Sequence, residues 1–243
     1  MPTEILLVAC IVVFAHFIET STGFGATVIA VALAAHVVPI KILVVTLVLI
    51  AWLQSAWIIS RSFRHIRWDV LLKRILPFTL LGLPIGIWSF SALGSAELKV
   101  ILGVFVMAVS LVELVRLFRS SAAPKPLSLG VSIAVLLGGG VFHGLFASGG
   151  PLVVYFASRG IEGKRSFRAT LSVLWIMLNT TLIVTYLVSG RMEKESIVLA
   201  AWMLPALVIG IIAGEISHAK INEKTFRKLV QAILFFTGVF LVI

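Results

Sequence analysis

The fold of this chain is decided by a stretch near its middle, which reads Gly138-Gly139-Gly140-Val141-Phe142-His143-Gly144-Leu145-Phe146-Ala147-Ser148-Gly149-Gly150-Pro151. The stretch is too apolar for a surface loop, yet it contains six glycines and one proline. A glycine inside a helix costs about 1 kcal/mol, and a proline costs about 3 kcal/mol. We therefore expect a membrane-buried helix to break here, where His143 and Ser148 are the only polar side chains.

The composition of the whole chain is that of an integral membrane protein. Its 243 residues are 60% hydrophobic and 12% charged, and the mean hydropathy is +1.14. A soluble domain has about 25% charged residues. The net charge of +10 is interpreted as basic loops held at the cytoplasmic face, and we expect no nucleic-acid partner. The single cysteine, Cys10, excludes an internal disulfide and a cysteine metal cluster.

A second stretch near the N-terminus matches the first, and it reads His16-Phe17-Ile18-Glu19-Thr20-Ser21-Thr22-Gly23-Phe24-Gly25. An offset of 127 aligns His16 with His143, Ser21 with Ser148 and Gly23 with Gly150. Offsets of 125 and 128 align Gln54 with Asn179, and Pro77, Gly82 and Gly86 with Pro205, Gly210 and Gly214. Two matching broken segments in two halves of a hydrophobic chain are typical of a transporter's binding site.

We predict two repeats of the same layout, joined by a linker at 119–128 that holds two prolines. The first repeat, 1–118, has a broken hairpin at 5–38 and helices at 41–60, 70–92 and 96–118. The second, 129–243, has a hairpin at 129–158 and helices at 166–188, 195–217 and 223–243. The arm at 150–158 spans about 14 Å, half the bilayer core, so its tip is expected near the midplane. The arm at 26–38 is longer and could cross the bilayer core fully.

The distribution of basic residues predicts how the chain is oriented. Of the 20 lysines and arginines, 16 fall in segments that one alternating arrangement places in the cytoplasm. Each half contains a returning hairpin and three crossings, so the two halves enter from opposite faces. The predicted fold is an all-α polytopic membrane protein with two inverted-topology repeats. We expect it in the inner membrane, with both termini on the non-cytoplasmic side and no cleaved signal peptide.

The tips carry the predicted chemistry. A helix that starts at a glycine tip presents free backbone N–H groups and about half a positive charge. Such a start binds an anion, and no metal or other cofactor is needed. The predicted substrate-binding residues are the tip residues together with the two aligned histidines and amides: Ser21, Thr22, Gly23, Gly25, Ser148, Gly149, Gly150, Gln54, Asn179, His16 and His143.

Glu19 is the one carboxylate near a tip, and Phe146 occupies the aligned position. An ionised carboxylate repels an anion, so we expect Glu19 to be protonated or paired with a histidine. A Glu19 that takes up and releases protons would couple anion movement to proton movement. The six tryptophans are interpreted mostly as anchors at span ends or as lipid-facing rings.

The same residues also allow a purely structural interpretation and two other functions. The histidines and amides could simply hold helices together, and the run Gly138–Gly140 is interpreted as close helix packing. A channel or carrier for protons or metal cations could use His16, Glu19 and His143. A membrane serine hydrolase could use Ser148 and His143, although a spacing of five places them on different helix faces. Our main hypothesis is a secondary transporter of a small anion and not an enzyme. A homodimer is compatible with this hypothesis.

The chain resembles the TauE/SafE family of sulfite exporters, also described as a sulfonate-permease group. The resemblance covers nearly the whole chain and rests on the two glycine-rich hairpins and on the second motif, Gly144-Leu145-Phe146-Ala147-Ser148-Gly149-Gly150-Pro151-Leu152-Val153-Val154. The first motif, Gly23-Phe24-Gly25-Ala26-Thr27, departs from the family pattern because it has no proline. The resemblance implies transport of sulfite, sulfoacetate or a related organosulfonate.

Overall fold

The structure, a computed structural model, describes residues 2–119, 127–217 and 223–242, and these residues form helices and no strand. The helices are α1 (Pro2–Thr22), α2 (Ala26–Ala34), α3 (Ile40–Ser62), α4 (Trp68–Val70), α5 (Leu76–Ala92), α6 (Ser95–Arg119), α7 (Leu129–Phe146), α8 (Gly150–Ala157), α9 (Lys164–Val188), α10 (Lys194–Ser217) and α11 (Glu223–Val242). A π-helical turn, Leu71–Ile75, joins α4 to α5.

Seven helical segments in this part of the chain are long and apolar enough to cross a membrane. They contain α1, α3, α4 with α5, α6, α7, α9 and α10. The prediction of an all-α polytopic membrane protein is therefore confirmed. Most of the predicted linker, residues 120–126, lies outside the described residues.

Both predicted breaks occur, but their backbones differ. The first tip has two glycines with left-handed backbone, Gly23 (φ 93°) and Gly25 (φ 107°), a conformation that other residues adopt only at a cost. In the second tip the left-handed residue is Ala147 (φ 50°), whose N–H donates to the carbonyl of His143 at 2.7 Å and ends α7. Gly149 is needed there for space, because a Cβ would collide with the backbone of Gly139.

The second arm of the first hairpin is shorter than the sequence predicts. We expected the arm to run over 26–38, but α2 ends at Ala34. The backbone then turns, as the N–H groups of Val37 and Val38 both donate to the carbonyl of Ala34. Pro39 disfavours helical backbone only at Val38, and the earlier end at Ala34 has no such explanation in the sequence. The nine residues of α2 span about 14 Å, so this arm also covers only half a bilayer core.

The first arm of each hairpin packs closely on a helix of the other half. α1 lies against α10, and α7 lies against α5. Glycines allow the close approach: Gly210 meets Val13 and Gly214 meets Phe17, whereas Gly82 meets Leu137 and Gly86 meets Val141. In both pairs the contacts advance together along the two helices, so the paired helices run in the same direction.

The centre of the molecule is formed by α3 and α9, the two most buried of the seven spans. They run in opposite directions, because the Trp52 indole donates to Thr180 (2.9 Å) and the Arg67 N–H, just beyond α3, donates to Thr170 (2.9 Å). Both hairpin tips lie beside Trp175, near the middle of α9. Its indole N–H donates to the carbonyl of Gly23 at 3.4 Å, and its ring lies beside Gly150.

Candidate functional site

A small buried hollow lies between the two tips. Six of the predicted site and coupling residues line it: Glu19, Gly25, His143, Ser148, Gly150 and Asn179. The hollow has a free volume of about 20 Å³, which is room for about one water molecule. The two hairpins therefore contribute to one polar site, although their residues are more than a hundred positions apart in the chain.

The second half supplies a histidine and an amide to the hollow. Nε2 of His143 and the side-chain oxygen of Asn179 are 3.0 Å apart, and both residues are buried. Since an amide oxygen can only accept, His143 donates from Nε2. Its Nδ1 is buried and has no hydrogen-bond partner among the described residues. A buried polar atom without a partner is costly, so it indicates a group that a ligand, ion or water would satisfy.

The start of α8 is the other feature of the second half. This helix is eight residues long, and no side chain in the described part of the chain caps its start. Gly150 and Leu152 have N–H groups in the first turn, whereas Pro151 has none. The side chains of Ser148 and His143 line the hollow beside this helix start. The arrangement offers hydrogen-bond donors and a positive dipole end to the same small volume.

The first half fills the equivalent place with its own carboxylate. Glu19, on α1, accepts a hydrogen bond from the N–H of Ala26, the first residue of α2, at 2.8 Å. We expected Glu19 to be protonated or paired with a histidine; among the described contacts its partner is this backbone amide, and its protonation stays a prediction. The carboxylate is 5% exposed and lines the hollow. A negative group at a helix start is stabilised by the helix dipole.

His16 and Gln54 form a separate network beside the first tip. His16 Nδ1 lies 2.6 Å from the Gln54 oxygen, and the Gln54 amide donates to the His16 carbonyl (3.1 Å) and to Thr20 (2.9 Å). Each histidine is therefore bonded to the aligned amide of its own half. Neither His16 nor Gln54 lines the hollow. Their place in the structure favours the reading in which they hold α1 against α3.

Ser21 and Thr22 lie on the other side of the first tip. They line a second, larger cavity of about 600 Å³. The Ser21 hydroxyl donates to the carbonyl of Phe17 (2.9 Å), and that of Thr22 donates to the carbonyl of Ile18 (2.9 Å). Gly25, which also lines the small hollow, belongs to the wall between the two spaces.

Two predicted tip glycines, Gly23 and Gly149, line neither space, and both lie close to neighbouring segments. A Cβ on Gly23 would lie 3.3 Å from the Cα of Arg168. A Cβ on Gly149 would lie 3.0 Å from the Cβ of His143 and would collide with Gly139. The run Gly138–Gly140 packs in the same way, with Gly140 against the backbone of Thr79.

The chain matches a family model described as "Sulfite exporter TauE/SafE" over residues 8–241. It belongs to the TauE/SafE family. Members of this family are membrane transporters and not enzymes. This TauE/SafE chain is also similar to a protein of Comamonas testosteroni described as "Probable inner membrane transporter protein TsaS". The two are 24% identical over 179 residues, which cover 73% of each chain. No solved structure matches the chain significantly.

Sequence reasoning missed two residues that lie beside the tips. Trp175 was grouped with anchors and lipid-facing rings, but it is 6% exposed and its ring stacks on His143 with centroids 5.6 Å apart. Arg168 falls in one of the basic segments that the charge distribution predicts in the cytoplasm, and in the structure it packs against Gly23 and lines the large cavity. One signal for Trp175 was available, since it lies one helical turn before Asn179 on the same helix.

Proposed function

We propose that this chain is a secondary transporter of a small oxyanion, namely sulfite, sulfoacetate or a related organosulfonate. The observation that carries the proposal is the buried hollow at the start of α8, where the side chain of Ser148 lies beside a helix start that no side chain of the described residues caps. Family membership supplies the class of substrate. The site supplies the reason for an anion, because a helix start is a donor-rich, positive end.

Residues of the second half would bind the transported anion. Its oxygens would accept hydrogen bonds from the N–H groups of Gly150 and Leu152 and from the Ser148 hydroxyl. The amide of Asn179 offers a further donor, since its hydrogen bond to His143 uses only the oxygen. The hollow of about 20 Å³ is smaller than any of these substrates, so binding requires the tips to move apart.

Alternating access between inverted halves gives such a movement, and the helix directions support it. The Thr46 hydroxyl donates to the carbonyl of Ser196 (3.1 Å), which places the starts of α3 and α10 together. The rings of Phe90 and Tyr186 lie 6.0 Å apart, which places the ends of α5 and α9 together. Thus α1, α10 and α3 run in one direction, and α7, α5 and α9 run in one direction. Because α3 and α9 are antiparallel, the arms α1 and α7 run in opposite directions. Inverted repeats have this arrangement.

The two cavities suggest which state this conformation represents. The hollow and the large cavity share the residues Gly25, Val28 and Pro151. The large cavity also includes exposed Lys164, at a helix end that the charge distribution places in the cytoplasm. We therefore propose a cytoplasm-facing state, in an inner membrane like that of the Comamonas relative, with both termini outside.

A cation site is less well supported. In the described residues no group of three His, Cys, Asp or Glu side chains is placed to hold a metal ion. Of the residues that the alternative requires, His16 is bonded to Gln54 and Glu19 to the N–H of Ala26. A helix start would also repel a cation at the hollow.

The test of the proposed function is uptake into proteoliposomes that contain only the purified protein. We expect saturable uptake of labelled sulfite, with competition by sulfoacetate and weaker competition by a carboxylate analogue of the same size. Liposomes without protein provide the background. Flux of protons or divalent cations without any anion flux would overturn the proposal in favour of the cation alternative.

Proton coupling through Glu19 is a further part of the proposal. An ionised Glu19 in the hollow repels an incoming anion, and a protonated one does not. One proton moved with each anion allows about tenfold accumulation per unit of pH gradient. In Glu19→Gln the side chain still accepts from Ala26 but cannot titrate, so we expect binding to persist and the gradient effect to vanish. Glu162→Gln, at an exposed position, is the matched control, and a Glu19→Gln variant that still responds to the gradient would contradict this role.

A further inference from the structure

A partly buried cation, Arg168, lines the large cavity beside the first tip. The walls of the cavity come from both hairpins and from α6, α9 and α11, and most of them are apolar, such as Phe105, Phe142 and Phe167. Arg168 lies one turn into α9. In membrane proteins a charged side chain that faces a cavity instead of lipid is a candidate for a ligand path.

Arg168 uses only part of its hydrogen-bonding capacity. One terminal nitrogen of its guanidinium forms an ion pair with Glu215 at the end of α10. The Arg168 side chain is 13% exposed, and its Nε is buried without a partner among the described residues. A guanidinium can bind an oxyanion through two parallel N–H groups. The unpartnered Nε–H therefore leaves one donor of such a pair available.

Arg168 also lies close to the predicted transport path. Its backbone packs on Gly23 at the first tip, and its charge is near enough to Glu19 for the two to attract each other. Ser21 and Thr22, predicted substrate-binding residues, line the same cavity. An anion held at Arg168 would thus stand next to the wall of Gly25 and Pro151 that separates the cavity from the hollow.

We propose that Arg168 is a substrate-binding residue that captures the transported oxyanion in the large cavity before the anion enters the hollow, and that Glu215 competes with the anion for its guanidinium. The inference rests on the proposed anion transport. It assigns a second anion position on the same path, and it gives Glu215 a role as an internal competitor. Removing Glu215 would therefore strengthen binding, and removing Arg168 would weaken it.

The experiment compares KM for sulfite uptake in proteoliposomes among the wild type and four variants. Arg168→Gln is expected to raise KM about tenfold or more, because a charge-assisted hydrogen-bonded contact is lost. Arg168→Lys is expected to raise KM less, since it keeps the charge without the planar pair of donors. Glu215→Gln is expected to lower KM about threefold, because a competing charge is removed. Arg165→Gln, three residues earlier on α9 and exposed, is the matched control and is expected to stay within about twofold of the wild type.

The directions of the changes in KM distinguish a binding role of Arg168 from a purely structural one. A purely structural ion pair would change KM in the same direction, or not at all, when either partner is neutralised, and that result would overturn the inference. If Arg168→Gln does not fold, judged by gel filtration and thermal unfolding, the opposed effects of Arg168→Lys and Glu215→Gln decide. Absence of anion uptake by the wild type would overturn the proposed function and this inference together. Normal wild-type uptake with Arg168→Gln equal to Arg165→Gln would overturn the inference alone.

Discussion

In the first hairpin the N–H of Ala26, at the start of α2, is bonded to the carboxylate of Glu19, whereas the start of α8 in the second hairpin has no side-chain cap in the described residues. The position aligned with Glu19 is Phe146, which is fully buried. Two broken helices with the same layout therefore differ in one carboxyl group. At α2 an oxygen of that carboxyl group already accepts a hydrogen bond from the first N–H of the second arm.

The difference suggests a division of labour between the halves. The first half carries an anion of its own, which can repel or admit a substrate according to its protonation. The second half keeps its helix start available and places His143 and Asn179 beside it. His16 and Gln54, their counterparts, bond to each other and to Thr20 away from the hollow. We therefore propose one binding tip, in the second half, and one control tip, in the first.

The largest effect is expected where the arms of the two hairpins cross their partner helices. In Gly82→Ala the new methyl group would collide with the carbonyl group of Leu137, and the neighbouring atoms are also backbone. In Gly210→Ala the nearest atoms are the carbonyl oxygen of Val13 at 2.8 Å and the Cβ of His16 at 3.1 Å. We expect Gly82→Ala to cost about 3 kcal/mol of stability and Gly210→Ala about 1 kcal/mol.

Thermal unfolding of the two purified variants in one detergent measures this contrast. Gly130→Ala is the control, because nothing lies within 4 Å of a Cβ built there. Equal losses for Gly82→Ala and Gly210→Ala would show that the two arms cross their partners with the same tightness.

Much of the fold follows from sequence patterns, and the exception, the end of α2, has a physical reason. Prolines, glycines and charges mark nearly every helix end, so α3, α7 and α9 begin and end close to the predicted bounds. The end of α2 was missed because the residues after Ala34 remain mostly apolar up to Pro39. Hydropathy cannot distinguish a buried turn from a buried helix when both are made of the same residues.

The second prediction concerns stability at the first tip. Gln54→Ala removes the partner of the His16 ring and the donor to the His16 carbonyl and to Thr20. Buried groups left without partners destabilise a protein, so we expect a loss of about 2 kcal/mol. Asn179→Ala removes one described hydrogen bond, to His143, and is expected to cost about 1 kcal/mol. Denaturation of both variants under the same conditions provides the measurement, and a larger loss for Asn179→Ala would reverse the comparison.

The site was predictable only as far as the repeat itself was visible. The alignment of His16 with His143 and of Gln54 with Asn179 indicated all four residues, but it did not predict that each histidine bonds to the amide of its own half. The spacing could not show that one pair borders the hollow and the other does not. The position of Arg168 beside the first tip could not be predicted for a similar reason, because its contact with Gly23 joins residues far apart in the chain. Such contacts depend on how the helices pack, and no local pattern encodes them.

The last effect, on transport and not on stability, decides the comparison between the tips. If the second tip binds the anion and the first controls it, Asn179→Ala removes a donor from the substrate, and its KM for sulfite should rise about tenfold, or about 1.4 kcal/mol. Gln54→Ala should leave the KM of the protein that remains folded within about twofold of the wild type, because its amide does not reach the hollow. Uptake normalised to folded protein separates this effect from the loss of stability. Equal increases in KM for the two variants would mean that both tips bind the anion, and the carboxylate of Glu19 would then have to leave α2 during each transport cycle.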